Sequence, residues 1–292
     1  MGNSSAPQII AAVDGSASSY HAAAWAAVDA ALHHCPLRIL TSVAVPDFGP
    51  DRPLGEADME WLRRDGERIL NEAARIAHQA APGAELELAT EVIFASIIPT
   101  LILRSAQARM LVVGSRGIGA FQRGLLGSVS TALTHHAHCP VAVIHGNSAL
   151  DPVSVTKPVL VGVDGSDNSV PAIELAFEEA SRRKVGVTAL HTWSDASSID
   201  LPHSGWEAAR ESEQALLAEN MAGYTEKYPE VTVLRILALD RPVRALLEES
   251  VNAQLLVVGS HGRGGFASML LGSTCNALLH TAECPMIVVR KG

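Results

Sequence analysis

GSRGIGAFQRGLLGS, from Gly114 to Ser128, decides how this chain is read, because it returns as GSHGRGGFASMLLGS from Gly259 to Ser273. Both copies follow the pattern G-x2-G-x9-G-S, and the second lies 145 residues after the first. An apolar run precedes each, Met110-Leu111-Val112-Val113 and Leu255-Leu256-Val257-Val258. A helix-like segment follows each and leads to Cys139-Pro140 or Cys284-Pro285 and another apolar run. A strand, a glycine loop and a helix start together make a place for phosphate. Backbone N–H groups point outward there, and the helix dipole favours an anion. Two copies imply two nucleotide sites.

Outward from the loops the repeat continues. Ile9-Ile10-Ala11-Ala12-Val13-Asp14-Gly15-Ser16 matches Val159-Leu160-Val161-Gly162-Val163-Asp164-Gly165-Ser166, 150 residues on. Leu37–Leu40 matches Val187–Leu190 at the same offset, so the first half has the longer middle. A period this long is a duplicated domain; solenoid units are about 20–50 residues. The expected organisation is a domain over 1–146, a linker over 147–157 and a second domain over 158–292. The segment Gly146–Pro158 is polar, with two prolines.

Apolar runs predict strands over 8–13, 37–43, 85–93, 110–113 and 141–145. Between them the patterning predicts helices over 18–34, 58–80, 97–107 and 128–137. The second half repeats the order. Its strands are expected over 159–163, 186–192, 231–237, 255–258 and 286–290, and its helices over 168–184, 208–227, 242–251 and 273–281. Strands alternating with helices imply parallel sheets with helices on both faces, joined by right-handed crossovers. The fold class is α/β, two tandem doubly wound domains. Ligands of such sheets sit beyond the carboxyl ends of the strands, where Asp14, Asp164 and both glycine loops gather.

Composition narrows the partners. A chain of 292 residues suits two domains of ordinary size. A net charge of −9 argues against nucleic acid held by phosphate neutralisation, and 4% aromatics against base-stacking platforms. No apolar segment reaches the 18 or so residues of a membrane span, and the start lacks a signal or myristoylation pattern. Four cysteines without a C-x-x-C pair are no disulfide framework. The expectation is a cytoplasmic protein without nucleic-acid or membrane partners.

With these motifs in hand, the chain resembles the tandem-domain form of the universal stress proteins over nearly its whole length. The carriers are the two G-x2-G-x9-G-S motifs and the Val-Asp-Gly-Ser strand ends. The resemblance implies a five-stranded parallel sheet, order 3-2-1-4-5, flanked by helices in each domain. It also implies ATP as ligand, with Mg2+ carried by the phosphates. Carried over residue by residue, Gly114, Gly117, Gly127 and Ser128 bind phosphate in the first half, and Gly259, Gly262, Gly272 and Ser273 in the second. The two leading glycines admit phosphate without a Cβ clash, and the serines add a hydroxyl at a helix start. Asp14 and Asp164 are expected to contact the nucleotide or position a divalent ion. Ser115, Arg116, Val129, Ser260, His261 and Thr274 complete the loops. Asp195 and Asp240, which follow strands of the second half, join the set.

The copies differ. Ala12 stands where the second half has Gly162, and a methyl group there is expected to crowd a nucleotide. Arg116 and Ile118 stand opposite His261 and Arg263, and Arg263 has the reach for a phosphate that Ile118 lacks. The second site is therefore expected to be the better one. His135, His136 and His138 beside Cys139 are metal-ligand types, but adjacent histidines on a helix end face different ways, and no metal site is assigned.

No Walker lysine follows either loop, and no serine–histidine–acid set is spaced for catalysis. The expected function is a nucleotide-dependent regulator or sensor with slow hydrolysis at most. One alternative is an ATPase or a phosphoryl or nucleotidyl transferase. The other is an interaction module pairing through the final strands, 141–145 and 286–290. The resemblance implies such pairing within the chain and allows a homodimer; the sequence names no protein partner.

Overall fold

Runs rich in isoleucine, valine and leucine, buried along their length, form parallel strands covered on both faces. A computed structural model describes residues 7–43, 55–117, 126–146, 151, 153–193, 203–263 and 270–290, with the backbone alone for 203–206. The chain divides into two units, Met1–Leu150 and Asp151–Gly292.

In the first unit the order is β1 (Ile9–Ala12), α1 (Ala17–His33), β2 (Leu37–Ser42), α2 (Glu56–Ala80), β3 (Leu88–Ile93), α3 (Ile97–Ser105), β4 (Met110–Gly114), α4 (Ser128–His136) and β5 (Val141–Ile144). All pairings are parallel and the strands lie in the order β3-β2-β1-β4-β5. Strand β1 pairs with β2 on one side and β4 on the other, Ala12 lying opposite both Leu40 and Val113. The chain thus winds outward in two directions from β1, and α1 packs with α2 while α3 packs with α4.

The second unit repeats this with β6 (Val159–Val163), α5 (Val170–Arg183), β7 (Val187–Thr192), α6 (His203–Lys227), β8 (Val233–Ala238), α7 (Pro242–Ser250), β9 (Leu255–Gly259), α8 (Ser273–Thr281) and β10 (Met286–Val289). Its order is β8-β7-β6-β9-β10, again parallel. The core includes Ile9, Ile39, Leu101, Leu111 and Leu133 in the first unit and Leu160, Ile173, Phe177, Val257 and Leu278 in the second. Phe177 stacks on Tyr224 and Tyr228, fastening α5 to α6.

Several element bounds differ from the sequence expectation, that of α6 the most. Helix α6 starts at His203, not at residue 208, because one glycine, Gly205, costs a helix only about 1 kcal/mol. The stretch just before β6 is tied to the second unit. Ser154–Thr156 form a 3-10 turn, Gln254 Nε2 donates to the Val155 and Lys157 carbonyls (2.9 and 2.6 Å), and Lys157 Nζ donates to Val251 O (2.9 Å). Among the described residues no helix is long and apolar enough to cross a membrane.

Candidate functional sites at the two glycine loops

The carboxyl ends of β1 and β4, and of β6 and β9, lie side by side where the winding reverses, the usual ligand edge of an open α/β sheet. Just past β1 the chain turns sharply. Asp14 Oδ1 accepts from Ser16 N (3.0 Å) and Ser16 Oγ (2.6 Å). Asp164 Oδ1 accepts from Ser166 N (2.9 Å) and Ser166 Oγ (2.7 Å). The residue between them takes a left-handed conformation, φ +90° at Gly15 and +75° at Gly165, which glycine alone adopts freely. Ser16 also caps α1, accepting from Ser19 N at 3.2 Å.

Each aspartate faces its glycine loop with the other oxygen. A Cβ placed on Gly117 would lie 2.5 Å from Asp14 Oδ2, and one on Gly262 would lie 2.8 Å from Asp164 Oδ2. In the second unit Arg263 N donates to Asp164 Oδ2 at 2.6 Å. The loops therefore need glycine where they pass over the carboxylate. Gly114 and Gly259 are small for another reason: a Cβ there would lie 2.8 Å from Ser18 C and O, or from Asn168 O. Those glycines let the strand end approach a helix start, and neither has positive φ.

The returning ends of the loops are pinned alike. Gly127 N donates to Ser115 O (2.8 Å) and Gly272 N to Ser260 O (2.7 Å), while Ser115 and Ser260 are themselves buried. Gly127 and Gly272 are the N-cap residues of α4 and α8, and no side chain caps either helix. The first-turn amides of Ser128 and Val129, and of Ser273 and Thr274, therefore point out of uncapped helix ends. The hydroxyls of Ser128 and Ser273 are exposed at the same place.

Other expected residues fall differently. The Cβ missing at Gly162 would meet Leu246 and Val258 at 3.3–3.4 Å, so the Ala12/Gly162 difference lies on an apolar packing face; the expected crowding of a nucleotide there does not follow. Asp240 accepts from Arg241 N (2.6 Å) and meets Arg244 Nε (3.4 Å) at the start of α7, with no described contact to the Asp164 cluster. Arg116 is exposed and tied by its backbone, N to Ser18 Oγ (3.5 Å) and O from Ser16 Oγ (3.4 Å). His261 Nδ1 lies 3.1 Å from Ser260 Oγ. Asp195 and Ile118 lie outside the described residues. Arg263 Nη2 sits 3.7 Å from Glu213 Oε2, on the α6 side of the loop. Burial pushes the Cys139 and Cys284 thiols up to about 12, against a redox role for either.

Sequence reading missed the support behind the loops. Thr41 Oγ1 donates to Val13 O (2.8 Å), and its counterpart His191 places Nδ1 2.7 Å from Val163 O. His191 Nε2 lies 2.7 Å from Glu213 Oε2, whereas the position matching Glu213 in α2 is Gly66, packed against Val92 and Val43. Ser130 Oγ donates to Gly114 O at 2.7 Å; the matching residue in α8 is Cys275. Aligning the halves would have set His191 against Thr41 at the ligand edge, and that was the available signal.

A doubly wound parallel arrangement in each unit, with a glycine loop at the carboxyl edge of its strands, defines the α/β class of the protein. Comparison with known proteins narrows this. The family model for the Universal stress protein family matches residues 7–145 and again 156–290. A universal stress protein of Mycobacterium tuberculosis is 45% identical over 286 residues, 97% of each chain. A second one from that organism is 41% identical over 293 residues, 99% of this chain and 98% of the other. A solved universal stress protein from Archaeoglobus fulgidus shares the fold, with a TM-score of 0.67, 21% identity and 98% of each chain covered. The chain belongs to the universal stress protein family, in its tandem form.

Proposed function

We propose that this universal stress protein binds one adenine nucleotide at each glycine loop and acts as a nucleotide-dependent regulator in stress response. The observation that carries the reading is the pair of uncapped helix starts, α4 and α8, each behind a glycine N-cap beside an Asp-Gly-Ser turn at the ligand edge. Helix-start amides offer donors to phosphate, and the dipole adds favourable field. Ser128 and Ser273 supply hydroxyls, and the donor set fits a polyphosphate. The carboxylates of Asp14 and Asp164 would repel a bare phosphate, so ATP entering with Mg2+ on its phosphates suits the site better. Neither loop supplies a lysine for phosphoryl transfer, which favours binding over turnover. The protein is expected to work in the cytoplasm, with homodimer formation as a further expectation.

Native mass spectrometry of the full chain with ATP and magnesium tests this. Two nucleotides per chain are expected. Gly117→Ala and Gly262→Ala should each remove one, because overpacking of about 1–3 kcal/mol at the loop lowers affinity about 10- to 100-fold. Unchanged stoichiometry in both variants rejects the assignment. ATP turnover near the common enzyme scale of about 10 per second would replace the regulator reading with an enzymatic one.

A further inference from the structure

The long helices α2 and α6 each have 25 residues but sit differently on their sheets. In the first unit α2 comes down on its outer strand at Gly66. A Cβ there would lie 2.9 Å from Val92 Cγ1 and 3.2 Å from Val43 Cγ1, too close for a side chain. In the second unit that position is Glu213, whose carboxylate reaches back to His191 of β7, and Leu237 stands in place of Val92. A glutamate and a leucine do not fit the space of a glycine and a valine, so α6 stands off β8. The gap is a groove of about 630 Å³, lined by Arg210, Gln214 and Leu217 of α6 and by Arg235, Ile236 and Leu237 of β8. Small-molecule sites commonly measure about 300–1,000 Å³.

The groove is cationic because carboxylates are missing from it. Every arginine of α2 is paired within its own helix: Arg63 with Glu60 and Glu67, Arg64 with Glu60, Arg68 with Asp65 and Arg75 with Glu72. Arg210 is the counterpart of Arg63, and Gln214 replaces Glu67. Among the described residues Arg210 forms no ion pair with Glu207, the counterpart of Glu60, or with any other carboxylate, and neither does Arg235. Both arginines are exposed. The floor beneath them is apolar: Leu217 is 2% exposed, and Ile236 and Leu237 are half-buried.

We infer that this groove binds a small amphipathic carboxylate, its acyl or aryl body on Leu217, Ile236 and Leu237 and its head group on Arg210 and Arg235. Guanidinium forks match the planar geometry of a carboxylate, and the Gln214 amide offers a further donor. A phosphate head suits the groove less, because its lining has no glycine and no helix start to present backbone amides. A bare inorganic anion would leave the apolar floor in water and gain nothing from it. Strand β8 is the outermost of its unit, two strands from β6. Among the described residues no hydrogen bond or ion pair joins the lining residues to Asp164 or its loop. The groove is therefore separate from the glycine loops and independent of the nucleotide reading. In the first unit the Gly66–Val92 approach and the pairs of Arg63 remove both the room and the free charge, so one such site per chain is expected.

Isothermal titration of the full chain with sodium decanoate tests this, with decanol as the neutral control. One decanoate per chain should bind, more tightly than decanol. Arg210→Gln and Arg235→Gln should each weaken decanoate about tenfold, the scale of one hydrogen bond to a charged group, and leave decanol unchanged. Methyl NMR should place the decanoate-induced shifts at Ile236 and Leu237. Saturating magnesium ATP should leave the decanoate affinity as it was. No binding of decanoate, or equal binding by wild type and both variants, overturns the proposal. Displacement of decanoate by ATP overturns the separation of the groove from the glycine loops. Tighter binding of decyl phosphate than of decanoate overturns the choice of head group.

Discussion

The two glycine loops share a backbone and differ in what stands behind it. The aspartate-to-serine bonds are 3.0 and 2.6 Å in the first unit and 2.9 and 2.7 Å in the second, and the bond closing each loop is 2.8 or 2.7 Å. Those bonds join residues of the strand ends, turn and loop that form the site. The support comes from elsewhere: Thr41, Gly66 and Ser130 on one side, His191, Glu213 and Cys275 on the other. A duplicated loop can thus keep its backbone geometry while its stability drifts through the neighbouring helix and strand. That separation can be broken experimentally, beginning where the largest difference is expected.

The second unit holds two fully enclosed thiols, Cys275 in α8 and Cys284 before β10, and the first holds Cys139. Burial pushes Cys139 and Cys284 up to about 12 and Cys275 upward as well. A thiol whose value is raised on folding adds stability below its unfolded value, about 8.5, and that stability is lost as pH climbs toward the folded value. Each loses about 1.4 kcal/mol per pH unit in that window. Two units above the start, the second domain should have lost about 6 kcal/mol and the first about 3. Hydrogen exchange followed peptide by peptide from neutral pH to about pH 10.5 reads the two separately. Equal loss of protection in both, or no effect of Cys275→Ser on the second, would count against the thiol account.

Much of this was legible beforehand. Alternating apolar runs and helices define a parallel sheet, and the doubled Asp-Gly-Ser and glycine motifs locate the ligand edge, because local turns carry local residue signatures. The roles of single glycines were less legible. Gly114 and Gly259 are required by Ser18 and Asn168, and Gly162 faces Leu246, contacts set by tertiary packing that spacing does not encode. The His191–Glu213 contact joins a strand to a helix across the intervening loop and has no motif. The start of α6 was hidden by Gly205, a weak breaker in a helix of 25 residues.

A smaller difference lies inside the loops' own helices. Ser130 is 2% exposed and donates to Gly114 O, the last carbonyl of β4. Ser130→Ala leaves that acceptor without its hydroxyl and should cost about 1–3 kcal/mol. The reciprocal change, Cys275→Ser, gives Gly259 O a donor and should add about 0.5–1.5 kcal/mol. Urea unfolding of both variants at neutral pH checks the pair. If each shifts stability in the same direction, the hydroxyl is not what distinguishes these helix starts.

The smallest expected effect concerns the outer strands. In β3, Glu91 takes a two-pronged contact from Arg104 (2.7 and 2.6 Å) and a longer one from Arg38 (3.4 Å). The matching residue of β8 is Ile236, so the second unit has no equivalent pair at this position. The Arg104 hydrogen bonds hold the Glu91 carboxyl below its ordinary value, against a smaller opposing effect of burial. Glu91 and Arg104 are each about one-third exposed, and solvent screening limits such a pair to about 0.2–1 kcal/mol. Glu91→Gln should lower the first domain's stability by that amount near neutral pH. A depressed carboxyl contributes stability above its unfolded value, about 4.3, and loses it as pH falls through the lower folded value. The deficit of the variant should therefore shrink below about pH 4 and vanish once wild type is protonated too. Urea midpoints for both proteins along that pH series give the answer. A deficit that persists unchanged in acid would assign the effect to packing of the β3 edge and not to charge.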